Sequence, residues 1–294
     1  MPATAVEPIT RTLDVPGATL TYDVRPNEAS TELPLFLIGS PAGAAGYPTL
    51  AGYFTDRTVI TYDPRGSERS VAHDPAAPIK PEKMAEDLHA IVEAIGRPVD
   101  VFASSGGAVN ALPWVAKYPG DVRTLVAHEP PLASMVPDRE HALAATRSMY
   151  DTYMQSGFGP AMAKFIAVVS HRGPITAELA AAPPPDPAMF GMPTEDDGNR
   201  TDLMFAHQMR WLVTYEPDFD ALRRSPTRIV IGVGEKSDGE LAHRGGEATA
   251  KRLSVEPAVF PGDHGGFMGG EYGQPPGEPE AFAAKLREVL EANA

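Results

Sequence analysis

The sequence contains no cysteine, and this excludes disulfide bonds, thiolate catalysis and zinc sites with cysteine ligands. It also contains no apolar run near the roughly 18 residues that a membrane-spanning helix needs. The first 30 residues lack both the basic start and the apolar centre of a signal peptide. We therefore expect a cytoplasmic protein.

Positive charge is scarce as well, because 25 lysine and arginine residues stand against 39 aspartate and glutamate residues, a formal net charge of −14. Nucleic acids and anionic membranes are bound by clustered lysine and arginine, so we expect neither as a partner. We expect a small-molecule substrate instead and leave a homodimer open. With 43% apolar residues, the 294-residue chain can bury a sizeable core in one large domain or two smaller ones.

Strand-like and helix-like segments alternate along most of the chain. ITRTLDV and ATLTYDVR flank a Pro-Gly turn and predict an N-terminal hairpin. The compact apolar segments LPLFLIG, RTVITYD, PVDVFA, VRTLVAH and TRIVIGVG are typical of strands buried on both faces. PEKMAEDLHAIVEAIG has apolar residues at helical spacing and ends at a glycine. This alternation predicts an α/β fold with a mostly parallel sheet that helices cover.

One long stretch interrupts this alternation. Residues 132–222 form helix-like segments separated by a loop rich in proline and glycine. We therefore predict a core domain made of residues 1–131 and 223–294, with residues 132–222 as a helical cap, or lid, over the strand ends.

The segment VDVFASSGGAVNAL passes from a strand pattern through two serines into a helix pattern. A strand-to-helix turn with the motif G-x-S-x-G lifts its serine hydroxyl clear of the sheet as a nucleophile. With Ser104 at the apex, one flanking position would be Phe102, which does not suit so tight a turn. With Ser105 at the apex, the flanking residues are Ala103 and Gly107, and both are small. We predict Ser105 as the nucleophile, and the alternative is a glycine-rich capping turn or phosphate loop.

Three motifs follow strand patterns in a fixed order: YDPRGSERS, FASSGGA and FPGDHGGF. In this order and spacing the chain resembles the α/β-hydrolase superfamily over nearly its whole length. Residues at the carboxyl ends of parallel strands converge in such folds, although they are distant in sequence. The resemblance implies an α/β-hydrolase fold with a helical cap and nucleophilic attack in a lidded pocket, and it requires neither a metal nor an organic cofactor.

The resemblance also implies a base and an oxyanion hole. A serine hydroxyl needs a base within hydrogen-bonding reach, and His264 lies in the loop where the family carries its catalytic histidine. The oxyanion hole should use the backbone N–H groups of Gly106, directly after the nucleophile, and of Ser40 in the loop after the third strand. That loop departs from the family, because Ile38 precedes its glycine where relatives usually have histidine.

The acid of the triad has two candidates. Its usual position, three residues after Gly234, is occupied by Ser237, although the same loop also contains Glu235 and Asp238. A minority of the superfamily instead places a glutamate directly after the sixth strand, and Glu129 matches that location. A carboxylate is needed there to hold the histidine tautomer. We rank Glu129 first and keep Asp238 as the alternative.

Methionine is concentrated in the predicted cap, where such side chains either pack in the cap core, which is their first interpretation, or line an adaptable apolar pocket. Our candidates for substrate binding are Trp211, Phe205 and Met209. The predicted function is hydrolysis of an ester or lactone of a small, fairly apolar substrate through an acyl-enzyme on Ser105. Carbon–carbon bond hydrolysis, cofactor-free perhydrolysis and a non-catalytic binding protein on a hydrolase scaffold remain alternatives.

Overall fold

A twisted sheet of nine strands forms the centre of the structure, a computed structural model that describes residues 7–292. The strands are β1 (Ile9–Val15), β2 (Ala18–Arg25), β3 (Leu35–Ile38), β4 (Val59–Asp63), β5 (Val71–Ala72), β6 (Val99–Ser104), β7 (Val122–His128), β8 (Arg228–Gly234) and β9 (Ala258–Phe260). Their order in the sheet is β1-β2-β4-β3-β6-β7-β8-β9, and β5 pairs with β2 outside this path.

The pairing confirms the predicted hairpin and the mostly parallel sheet. Strands β1 and β2 pair antiparallel around the Pro-Gly turn, and β2 pairs antiparallel with β4. From β4 through β3, β6, β7 and β8 to β9, each neighbouring pair is parallel. All residues of β3, β4 and β6 are buried, because helices cover both faces of the sheet.

Ten α-helices surround the sheet within the described residues. They are α1 (Pro48–Gly52), α2 (Pro81–Ile95), α3 (Gly106–Lys117), α4 (Arg139–Ser156), α5 (Phe158–Val169), α6 (Ala177–Ala181), α7 (Met209–Val213), α8 (Phe219–Arg224), α9 (Leu241–Leu253) and α10 (Pro279–Glu291). A π-helical turn, Leu203–Gln208, leads directly into α7. None of the helices in residues 7–292 is both long and apolar enough to cross a membrane.

Separate apolar clusters fill the two faces of the sheet. On one face, Leu88 of α2 and Trp114 of α3 pack in the same cluster as the sheet. On the other face, Leu50 of α1 packs with Phe282 and Leu286 of α10. The sheet is therefore packed between two helical layers, and the loops at its carboxyl edge extend from buried strands.

The helical insertion between β7 and β8 is confirmed, and α4, α5 and α6 have an apolar cluster of their own. The last helix of the predicted cap differs from the others: Phe219 and Leu222 of α8 belong to the core cluster next to α3 and α9. The last helix of the insertion therefore packs against the core. The boundaries of the cap, residues 132–222, stay a prediction.

The DPRGSERS motif holds the loop that follows β3. Asp63 accepts a hydrogen bond from the backbone N–H of Ala44 in that loop (2.9 Å). It also forms an ion pair with Arg69, in which Nε lies 2.5 Å from Oδ2 of Asp63. Arg65 forms a bidentate pair with Asp87 of α2, with N···O distances of 2.9 and 2.5 Å, and both side chains are buried. The motif thus connects the loop after β3 to helix α2.

We expect Asp87→Ala to lower the free energy of unfolding by about 3–5 kcal/mol, because it leaves the charge of the buried Arg65 guanidinium without its carboxylate partner. Urea denaturation measures this difference. The matched control is Asp56→Ala, which breaks the exposed ion pair with Arg287 and should cost less than about 1 kcal/mol. Equal losses in the two variants would contradict the assignment of Arg65 and Asp87 as a structural pair.

Candidate active site

Ser105 lies at the turn between β6 and α3 with φ 57° and ψ −125°, a backbone conformation that residues other than glycine rarely adopt. Its N–H donates a hydrogen bond to the carbonyl oxygen of His128 (3.0 Å). Ser104 instead ends strand β6 and pairs with β7. The structure therefore places Ser105, not Ser104, at the apex of the turn.

Two glycines allow the first turn of α3 to pack against the loop after β3. A Cβ atom on Gly106 would lie 2.5 Å from the carbonyl oxygen of Ser40, and a Cβ atom on Gly107 would lie 2.7 Å from that of Ile38. Any side chain at these positions would push the loop away. The close approach brings Ser40 next to the helix start that follows Ser105.

The backbone N–H groups of Ser40 and Gly106 donate no hydrogen bond to any acceptor within residues 7–292. Gly106 opens α3, and the first N–H groups of a helix have no partner inside the helix. Unpaired donors that lie beside a nucleophile are suited to stabilise a developing oxyanion. The geometry of this corner thus fits the predicted pair of donors.

His264 and Glu129 form a direct pair although 135 positions separate them in sequence. The Nδ1 atom of His264 lies 2.6 Å from Oε2 of Glu129. Glu129 follows β7 directly, has φ 49° and is fully buried, whereas His264 lies in the loop after β9 and keeps 39% of its side chain exposed. Glu129 therefore fixes the imidazole through Nδ1, while part of the ring stays accessible.

The second carboxylate oxygen of Glu129 is bound by the end of β8 and by the loop that follows it. Oε1 accepts hydrogen bonds from the N–H of Gly234 (2.8 Å) and from the hydroxyl of Ser237, and Nδ1 of His243 lies 3.6 Å from it. Burial alone would raise the pKa of Glu129, but the hydrogen bond with His264 and the nearby imidazole of His243 outweigh it and hold the pKa well below its usual range. The carboxylate is therefore charged at neutral pH.

Ser237 and His243 are site residues that the sequence analysis did not predict. Ser237 occupies the position at which most relatives have the acid, and it is fully buried, with its hydroxyl on Glu129. His243, on α9, places Nδ1 3.1 Å from the carbonyl oxygen of Gly234. The available clue was the position of Ser237 three residues after Gly234, because a serine there can donate to a carboxylate on the neighbouring strand.

The alternative acid, Asp238, forms no ion pair with the imidazole of His264 within residues 7–292. Its side chain is 85% exposed, and Oδ1 lies 3.8 Å from Nε2 of His243. The loop after β8 turns this side chain outward and Ser237 inward. The carboxylate that pairs with His264 is thus that of Glu129.

The charge around His264 favours its protonated form. Burial lowers the pKa of the imidazole, but the hydrogen bond and charge of Glu129, together with the charges of Glu240 and Asp263, outweigh this effect and raise the pKa above its ordinary value. An imidazolium formed during a reaction would therefore be stabilised.

Ser105 and His264 line two cavities of about 210 Å³ each. The cap cavity lies beneath the helical insertion, and the side cavity lies between the loops after β3 and β9. Apolar side chains of the cap cavity come mainly from the insertion: Met149, Phe165, Val169, Met204, Met209, Leu212 and Val213. Aromatic and thioether side chains line the side cavity: Tyr47, Phe267, Met268 and Tyr272.

The hydroxyl of Ser105 forms no hydrogen bond to His264 in the part of the chain that the structure describes. Such bonds are often long in sites without substrate and tighten only in the complex. Within the same residues, no group of three or more histidine or acidic side chains is arranged to hold a metal ion.

Of the predicted substrate-binding residues, the structure brings only Met209 to a cavity. Phe205 is buried in the cap cluster, where its ring stacks on Tyr153 with 5.3 Å between centroids. Trp211 lies between the cations of Lys80 and Arg210, which are 4.6 and 4.7 Å from its ring centroid. The structure thus brings neither residue to the two cavities at Ser105, because the π-helical turn and α7 direct Met209 inward and Trp211 toward charged neighbours.

Comparisons with known proteins identify the family of the chain. The family model for the alpha/beta hydrolase fold matches residues 35–225, and the chain therefore belongs to the α/β-hydrolase family. YraK, an uncharacterized hydrolase of Bacillus subtilis, is 27% identical over 262 residues, which cover 87% of this chain and 89% of YraK.

Solved structures share the fold over almost the whole chain. A hydrolase from Pseudomonas aeruginosa PA01 aligns with a TM-score of 0.64 and 18% identity, covering 96% of this chain and 98% of its own. A thermophilic esterase from Thermogutta terrifontis aligns with a TM-score of 0.64 and 19% identity, covering 97% and 98%.

We expect the imidazole of His264 to titrate above its ordinary pKa of 6.5, and Glu129→Gln to move this titration to lower pH. The carboxylate stabilises the imidazolium, so its removal must lower the pKa. Imidazole NMR resonances followed against pH measure the midpoint, with the His264→Gln variant identifying the signal. Asp238→Asn is the control and should affect His243 more than His264. A larger shift of His264 in that control than in Glu129→Gln would contradict the pairing.

Proposed function

We propose that the protein is a serine hydrolase that cleaves esters or lactones of small, fairly apolar substrates. The observation that carries this proposal is the pair of His264 and the buried Glu129 beside Ser105, which lies on a strained strand-to-helix turn. These are the groups that a serine needs for activation: a base, and an acid that fixes the base.

The proposed reaction begins with proton transfer from Ser105 to Nε2 of His264. Glu129 binds Nδ1 and thereby fixes the tautomer that leaves Nε2 available as the acceptor. The serine oxygen bonds to the substrate carbonyl carbon, and the resulting oxyanion accepts hydrogen bonds from the N–H groups of Ser40 and Gly106. Backbone donors that belong to a packed loop and a helix start need little reorganisation during such a reaction.

Collapse of this intermediate breaks the bond to the leaving alcohol, which takes the proton from His264. The acyl group stays on Ser105 as an ester. Water then attacks the acyl carbon while His264 accepts its proton, and the second intermediate releases the carboxylic acid and restores the serine. The same base therefore serves both halves of the reaction.

The cavities support a small substrate. An ester has two groups that flank its carbonyl, and the two cavities that meet at Ser105 and His264 offer one space for each. Apolar walls favour aliphatic or aromatic groups, which bind through their buried area. The similarity of the fold to the Thermogutta terrifontis esterase is compatible with this chemistry.

We expect an activated serine-directed phosphonate to add once to the protein and to modify Ser105. Intact mass and peptide mapping locate the adduct. Ser105→Ala should form none, whereas Ser104→Ala should still form it, because Ser104 belongs to the strand. An adduct that persists in Ser105→Ala would contradict the assignment. A folded parent protein that forms no adduct would favour a non-catalytic scaffold.

We also expect Glu129→Gln to reduce kcat for a p-nitrophenyl ester by about 10³- to 10⁴-fold, the order of loss when a triad acid is neutralised. Asp238→Asn should stay within about threefold of the parent, since surface charges away from the reacting groups have small effects. Steady-state kinetics compares the two variants. The reverse ranking would move the acid to the loop after β8.

A further inference from the structure

The cap cavity contains one carboxylate. Glu240 lies between β8 and α9 and lines this cavity together with Ser105 and His264. Apart from His264, no other ionisable side chain belongs to the lining that the structure describes. The lining of the cap cavity is therefore mostly apolar, with Glu240 as its one acidic residue among the described residues.

The carboxylate of Glu240 is not used by the fold. It precedes α9 without forming a side-chain cap, and it accepts no hydrogen bond from any residue in 7–292. Its nearest cation is Arg172, at a long N···O distance of 3.6 Å, and that side chain is 63% exposed and donates to the carbonyl oxygen of Lys236 (2.6 Å). Substitution of Glu240 should therefore leave the structure intact.

The carboxylate also lies close enough to the reacting groups to act on them. Its charge contributes to the raised pKa of His264, and its own pKa is raised by partial burial. A charge at the wall of a cavity with few polar groups acts more strongly than one in water, because the effective dielectric constant is lower. A bound group of opposite charge would gain from it, and one of like charge would lose.

We propose that Glu240 is a specificity-determining residue that selects esters carrying an ammonium group in the cap cavity over neutral esters of the same shape. This inference rests on the proposed function and narrows its substrate class. The apolar side chains around Glu240 suit the methyl or methylene groups that surround such a cation, and the carboxylate supplies the charge.

The test compares esters that differ only in charge. Methyl 4-(trimethylammonio)butanoate and methyl 5,5-dimethylhexanoate carry the difference on the acyl side, whereas butanoyl choline and 3,3-dimethylbutyl butanoate carry it on the alcohol side. Each pair has the same shape, with nitrogen replaced by carbon. Using both pairs makes the test independent of which side of the ester enters the cap cavity.

The measured quantity is the ratio of kcat/KM for the charged ester to that for its neutral isostere, in the parent, in Glu240→Gln and in the control Glu235→Gln. Glu235 is an exposed carboxylate in the same loop and lines neither cavity. Any general effect on His264 cancels in the ratio. We expect Glu240→Gln to lower the ratio of one pair by about tenfold, the order that a single nearby charge produces, and Glu235→Gln to keep the parent ratio.

Ratios that stay unchanged in Glu240→Gln for both pairs, or that fall equally in Glu235→Gln, would overturn the inference while leaving ester hydrolysis intact. If the parent hydrolyses none of the four esters and forms no phosphonate adduct, the proposed function fails and the inference fails with it. The neutral esters therefore separate the two outcomes.

Discussion

The buried carboxylate of Glu129 is the interaction on which the rest of the site depends. An unpaired charge in the interior would be strongly destabilising, so each of its oxygens must have partners. Oε2 binds His264, and Oε1 binds Gly234 and Ser237. These partners come from the loop after β9, from the last residue of β8 and from the loop that follows β8, while Glu129 itself directly follows β7. The carboxylate thus joins three chain segments that meet only when the parallel sheet is complete.

The strained turn at Ser105 depends on the same sheet edge. A residue in a rare backbone conformation costs about 1–3 kcal/mol and persists only where its surroundings fix it. Here the N–H of Ser105 is bound by the carbonyl of His128, the residue that precedes Glu129. Gly106 and Gly107 then let the loop after β3 close over the helix start. Ser105, Glu129 and the N–H groups of Ser40 and Gly106 are therefore fixed by two neighbouring strands and one close contact.

Local pattern was enough to predict the hairpin, the parallel strands and the helical insertion, because burial on both faces and helical spacing are visible in sequence. The position of Ser105, rather than Ser104, at the apex of the turn could be predicted from the small size of the residues that flank it. The directions of Phe205 and Trp211 could not be predicted, since the π-helical turn Leu203–Gln208 breaks the regular helical period just before α7. The contact of Ser237 with Glu129 spans 108 positions, and its only trace in the sequence is that Ser237 occupies the usual position of the acid, three residues after Gly234.

The proposed reaction places opposite demands on the charge near His264. A neutral imidazole is needed to accept the serine proton, whereas an imidazolium must be stabilised once it has formed. Glu129, Glu240 and Asp263 all favour the imidazolium, so they strengthen the base and also raise the pH at which it becomes neutral. Ester cleavage ends with a carboxylate beside these acids. Like charges repel in a cavity of low dielectric constant, so the same arrangement that stabilises the charged base also favours departure of the product.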